Sequence, residues 1–243
     1  MQRYFVSNIV DGHLELDKDQ IRHIEKVMRM QVGDQVTACF NDEVFLCEIK
    51  AFNPLDVVVV NKLDEDHELK NPVTLLYCLP KGDKLDLVLQ KATELGVSEI
   101  ILVQSERCVA KIKKEDVEKK LTRFRTILTE ASEQSKRNKI PVIEKIIDYK
   151  DIGKFHFDHA YIAYENSTDE TFYESLMKVK DNESIAVLVG SEGGFSSKEV
   201  DYAINNGYHS ISLGKRILRS ETAAIFSLSA ISFILERGEE DAR

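Results

Sequence analysis

The chain has 243 residues, with 33 Lys+Arg against 42 Asp+Glu, a formal net charge of −9 and an isoelectric point near 5.3. Hydrophobic residues make up 43% and charged residues 31%, which excludes a disordered chain and suits one large core or two unequal ones. The longest uncharged stretch, residues 222–235, carries three serines and falls short of the roughly 18 apolar residues a membrane-spanning helix needs. The N-terminus has no secretory signal pattern, so the chain reads as cytoplasmic. Cys39, Cys47, Cys78 and Cys108 are widely spaced and form no CxxC pair. They read as reduced structural thiols, with no metal and no disulfide framework.

Residues 1–70 carry 8 Lys+Arg and 14 Asp+Glu, a net of −6. Asp19 is placed to cap a helix over QIRHIEKVMRM, whose Ile21, Ile24, Val27 and Met28 fall on one face, with Gly33 ending it. Strands follow at 35–40, 45–52 and 56–63, rich in Val, Ile, Thr and Phe and separated by Asn41-Asp42 and Asn53-Pro54. This is a small β domain, closed by the charged stretch DEDHELKNP at 64–72, and the larger domain is expected over 73–243.

After Pro72 short apolar strands alternate with amphipathic helices, the pattern of a parallel α/β domain. Strands are predicted at 73–79, 99–104, 141–147, 160–165, 185–190 and 211–214, with helices at 84–95, 115–136, from Ser196 to before 207, and 220–235. Ser196 and Glu199 form a capping box, and Ser220 is placed to cap the last helix.

Three loops lie at predicted C-terminal strand ends, where open α/β sheets bind ligands: Tyr164-Glu165-Asn166, GSEGGFSS at 190–197 and LGKRILRSETAA at 213–224. Gly190, Gly193 and Gly194 allow a ligand to approach bare backbone near a helix N-terminus. The loop matches neither G-x-G-x-x-G nor G-x-x-x-x-G-K-[ST], so nicotinamide or triphosphate chemistry has little support. Residues 107–139 carry 11 Lys+Arg and 5 Asp+Glu, a local net of +6 that points to an anionic partner or to an ordinary solvated helix face.

The segments LPKGDKLDLVLQKATELGV (79–97), EASEQSKRNKIP (130–141), VGSEGGFSSKEV (189–200) and LGKRILRSETAA (213–224) together resemble the signature blocks of the bacterial 16S rRNA (uracil-1498-N3)-methyltransferase family, a branch of the SPOUT methyltransferases. The likeness extends to the opening MQRYFV and to HIEKVMRMQVGD at 23–34. It implies a PUA-like β-barrel over 1–70 that helps hold RNA, followed by an α/β domain whose chain threads a trefoil knot. It also implies S-adenosylmethionine as methyl donor, 16S rRNA of the small subunit as substrate, and a homodimer with its active site at the subunit interface.

By this resemblance the three loops cradle the cofactor, with Leu188, Gly190, Gly193, Leu213 and Gly214 along one stretch of the pocket. Tyr164, Ile217, Leu218 and Ala223 complete it. Arg219 is expected to stabilise the uracil anion that forms as N3 loses its proton, and Glu221 or Glu192 to accept that proton or to position Arg219. RNA contacts are expected from Arg3, Arg22 and Arg29, and from Lys81, Lys84, Arg107, Lys136 and Arg137. Two other readings compete: a non-catalytic RNA-binding protein that keeps the fold, and a small-molecule α/β enzyme using a nucleotide cofactor.

Overall fold

The computed structural model describes residues 1–167 and 171–240. The chain divides into two compact units, one made of Met1–Glu68 with Thr129–Lys139 and the other of Leu69–Leu128 with Ile140–Arg243. The sequence pattern assigned 129–139 to the larger domain. In the structure this segment is bound into the first unit by buried polar groups: Arg137 pairs with Glu68, the His67 N–H donates to Asn138 Oδ1 at 3.1 Å, and Asn138 Nδ2 donates to the Glu65 carbonyl at 2.7 Å.

The first unit is a six-stranded curled sheet of β1 (Arg3–Phe5), β2 (Asn8–Val10), β3 (His13–Glu15), β4 (Gln35–Phe40), β5 (Glu43–Ala51) and β6 (Asp56–Leu63), in the order β1-β4-β5-β6-β3-β2. All neighbours are antiparallel except β1 and β4. The core gathers Tyr4, Val36, Ala38, Cys47, Ile49 and Val57 from alternate strand positions, with Ile24 from the turn after the first helix, and β4 also buries Thr37 and Cys39 on its other face. The expected helix is short. It is α1 (Lys18–Arg22), capped by Asp17, whose carboxylate accepts from the N–H groups of Asp19 and Gln20 while Gln20 returns a bond to the Asp17 N–H. A π-helical turn, His23–Val27, follows and rotates the remaining apolar positions, so Ile24 is fully buried while Val27 and Met28 face solvent.

The second unit has six parallel strands, β7 (Val73–Cys78), β8 (Glu99–Gln104), β9 (Ile146–Asp148), β10 (His159–Ala163), β11 (Ile185–Val189) and β12 (His209–Ile211), in the order β12-β10-β11-β7-β8-β9. Every residue of β7 and β11 is buried, which explains the unbroken apolar run of β11 and the run of β7 broken only by Thr74: a parallel strand covered on both faces has no solvent-facing polar side. The helices are α2 (Lys84–Glu94), α3 (Val117–Gln134), α4 (Phe172–Leu176), α5 (Ser197–Asn205) and α6 (Ser220–Glu240), with α3 ending inside the segment that belongs to the first unit. The strand predicted at 141–147 shrinks to β9, residue 142 making only an isolated bridge to Glu99. All four cysteines are free and buried. Among the described residues no helix is long and apolar enough to cross a membrane.

One buried carboxyl ties the stability of the first unit to pH. Glu133 is pushed up to about 7, chiefly by burial, with Glu130 and Asp17 adding repulsion against the stabilising N–H of Phe5. A group raised in the folded state stabilises below its unfolded value and loses that contribution as pH rises through the folded one. Thermal unfolding of the first unit should therefore shift to lower temperature between about pH 4.5 and 7. In Glu133→Gln that portion of the pH dependence should vanish, and an unchanged profile would remove Glu133 from the account.

Candidate functional site

The loops that follow β10, β11 and β12 meet at the C-terminal ends of the parallel strands, where the strand order places β11 between β10 and β7. The glycine loop after β11 is held from three sides. The Arg107 guanidinium donates from Nη1 to the carbonyls of Gly193 (3.0 Å) and Phe195 (3.2 Å). The Ser220 hydroxyl donates to the Gly190 carbonyl at 2.5 Å and shares a hydrogen bond of 3.0 Å with the Tyr77 phenol. That hydroxyl was expected to cap α6; its bonding is taken up by the glycine loop instead. On the far side the capping box of α5 forms as predicted, and the buried Glu199 carboxylate accepts from the N–H groups of Ser196 and Glu106, both at 2.8 Å.

This close packing explains the glycines. A Cβ on Gly193 would stand 2.9 Å from the Arg107 Cβ, and one on Gly190 would stand 3.2 Å from the Phe195 ring. Gly194 has φ +62°, a left-handed conformation that favours glycine, and its N–H donates to the Ser191 carbonyl at 2.9 Å.

Above the loop lies a cleft of about 460 Å³. Gly190, Gly193, Ile217, Leu218 and Ala223 line it, as does Arg219, with Glu192 and Lys84 on the wall. A smaller adjoining cleft is lined by Tyr164, Leu213 and Gly214, and the two share Ala163, Glu165, Ile217, Leu218 and Ala223. Leu188 lines neither. It is fully buried in β11, an interior strand that pairs it with Ile162 and Leu76 on its two sides, and the cleft lining begins one residue later, at Val189. Glu221 lies behind the wall, reached through Lys84. The sequence reading missed Glu165 and Phe195 as lining residues. Their only signal was position, one in the first loop and one beside the glycines.

Three candidate RNA contacts are instead tied to the protein. Arg3 is 1% exposed and bonds Glu65 at 2.7 Å and the Lys136 carbonyl. Arg137 is buried against Glu68. Arg107 is exposed yet spent on the glycine loop. Lys84, the fourth departure, has its Nζ 3.2 Å from Glu192 Oε1 and 3.3 Å from Glu221 Oε2. Arg22, Arg29, Lys81 and Lys136 remain exposed. The Glu192 carboxyl sits below its ordinary range: burial pushes it up, but its own N–H, the Lys81 N–H and the Lys84 ammonium together pull it down further. Among the described residues no group of three or more His, Cys, Asp or Glu is arranged to hold a metal.

Comparison with known proteins matches two domain models to the chain. An RNA methyltransferase domain model matches residues 67–232, and an RNA methyltransferase PUA domain model matches residues 16–60. The ribosomal RNA small subunit methyltransferase E of Bacillus subtilis is 33% identical, covering 99% of this chain and 100% of its own length. The protein of the same name from Mesomycoplasma hyopneumoniae is 33% identical over 94% of this chain and 98% of its own. The crystal structure of ribosomal RNA small subunit methyltransferase E from Neisseria gonorrhoeae, bound to S-adenosyl methionine, superposes with a TM-score of 0.86 at 27% identity, covering 96% of this chain and 98% of that one. The β unit is thus PUA-like and the parallel unit has the SPOUT methyltransferase fold that the sequence blocks implied. With a domain model over most of its length and relatives a third identical from end to end, the chain belongs to the ribosomal RNA small subunit methyltransferase E family.

Proposed function

We propose that this protein transfers a methyl group from S-adenosylmethionine to N3 of one uridine of 16S rRNA, the position the family name gives as 1498, acting as a homodimer in the cytoplasm. The observation that carries the reading is the double cleft at the strand ends. Its glycine floor is braced by Arg107 and Ser220, and Arg219 stands on its wall.

The residues present fit the donor. Gly190 and Gly193 leave no side chain between ligand and backbone, while Ile217, Leu218 and Ala223 offer an apolar surface to a flat base. Glu165, whose carboxylate oxygen lies 3.6 Å from where a Cβ on Gly194 would stand, supplies negative charge toward a cationic ligand. Tyr164, Leu213 and Gly214 extend the surface into the smaller cleft. Bound there, S-adenosylmethionine supplies an already activated methyl on a sulfonium.

The chain's own residues place the acceptor and manage its proton. In-line attack requires N3 near contact distance, roughly 3 to 3.5 Å, from the methyl carbon. The Arg219 guanidinium, permanently charged, stabilises the uracil anion by facing its carbonyl oxygens and cannot itself take the proton. Glu192 or Glu221 accepts that proton. RNA phosphates are met by the exposed cations Arg22, Arg29, Lys81 and Lys136. Dimerisation uses α6, where Phe226 and Phe233, seven residues and about two turns apart, are 45% and 64% exposed.

Arg219→Ala should bind S-adenosylmethionine as the parent does and lose about a hundredfold or more in kcat; normal turnover would remove Arg219 from the mechanism. Gly193→Ala, which needs no unusual backbone angle, should displace Arg107 and weaken calorimetric S-adenosylmethionine affinity about tenfold, roughly 1.4 kcal/mol. Unchanged affinity there would reject the glycine floor. Phe233→Asp should shift sedimentation toward a single chain, and an unaltered dimer would move the interface elsewhere.

A further inference from the structure

Lys84 opens α2, a helix whose Leu85, Val88, Leu89 and Ala92 are fixed in the core. Its ammonium is met by two carboxylates carried by two different wall segments, Glu192 from the glycine loop and Glu221 from the first turn of α6. Glu192 Oε1 also accepts the Lys81 N–H at 3.1 Å. Glu221 Oε2 is buried and accepts no hydrogen bond, so the Lys84 charge 3.3 Å away is what offsets its burial. Among the other charged and titratable groups near the pair, the Tyr77 phenol faces both carboxylates from β7, Arg219 and Glu165 line the same cleft, and Arg107 lies under the loop.

The pair is only partly exposed and contributes little to stability, and it joins three separate chain segments at the cleft wall rather than neighbouring turns of one helix. A phosphate approaching this ammonium would also meet two carboxylates within 3.3 Å of it, which makes Lys84 a poor RNA ligand.

We propose that Lys84 is a positioning residue for removal of the substrate proton: it ties the Glu192 carboxylate on the wall of the cleft to the Glu221 carboxylate behind it and so holds Glu192 in place. The inference rests on reading those carboxylates as the proton acceptors. In the step concerned, the N3–H bond breaks, an O–H bond forms on one carboxylate, and the electron pair stays on N3. The second carboxylate keeps the ammonium paired whichever of the two takes the proton, so neither state leaves Lys84 uncompensated. The ammonium helps hold the Glu192 carboxyl below its ordinary range and in place, while the buried Glu221 carboxylate keeps the ammonium on the inner side of the wall.

The test compares the full-length parent with Lys84→Gln and Lys84→Arg. The Glu192 carboxyl is followed by carbon NMR without ligand, and kcat/KM for unmodified small subunits is measured against pH. Losing the ammonium should raise the Glu192 midpoint and move the acid limb of kcat/KM upward, each by about one pH unit, with Lys84→Arg restoring both. The inference is overturned by an unmoved midpoint, or by a midpoint that moves while the acid limb stays. It is also overturned if Lys84→Gln flattens the log-log salt slope of RNA binding by about one, the mark of a lost phosphate contact. A parent protein that methylates no rRNA defeats the functional reading itself. An active parent whose pH profile superimposes on that of Lys84→Gln defeats this inference alone.

Discussion

The site depends on keeping an irregular, glycine-rich backbone in one conformation, and three hydrogen-bonded braces do this. Arg107 takes the carbonyls of Gly193 and Phe195, Ser220 takes that of Gly190, and Glu199 receives the N–H groups of Ser196 and Glu106. Arg107 and Ser220 reach the loop from other segments of the α/β unit, while Glu199 joins its end at Ser196 to Glu106. Exposed backbone at a ligand surface must be satisfied on its protein side to remain ordered. The glycines are the consequence: a Cβ at 193 would push on the Arg107 brace, and one at 190 would press on the Phe195 ring.

The same crowding shapes the electrostatics. The braces leave Arg219 on the open wall of the cleft, while Lys84 pairs with Glu192 on that wall and with Glu221 behind it. In the proposed reaction the permanent cation would answer the developing anion and a carboxylate the departing proton.

Much of this was legible in the sequence because it rests on local rules. The apolar runs of β7 and β11 announced strands covered on both faces, and Ser196 with Glu199 announced the start of α5. The glycines and the 213–224 block marked most of the cleft lining. What stayed hidden was set by distant partners. Strands β1 to β3 have three residues each, too few for a period to register. The π-turn after α1 broke a helical face that the spacing of Ile21, Ile24, Val27 and Met28 supported. Arg3, Arg137, Arg107 and Lys84 all looked like free cations, since nothing near them in sequence reveals Glu65, Glu68, the Gly193 carbonyl or the Glu192–Glu221 pair. Leu188 entered by resemblance alone; its place inside the predicted strand already pointed to burial, and its neighbour Val189 lines the cleft.

The central claim is that this cleft methylates N3 of a uridine in small-subunit rRNA. Its most direct test is to incubate the purified protein and S-adenosylmethionine with small ribosomal subunits lacking the modification, and to map methylated nucleotides by mass spectrometry. The account predicts one new N3-methyluridine in 16S rRNA. A folded protein that binds the subunit and leaves its rRNA unmethylated would contradict it and favour a non-catalytic RNA-binding role.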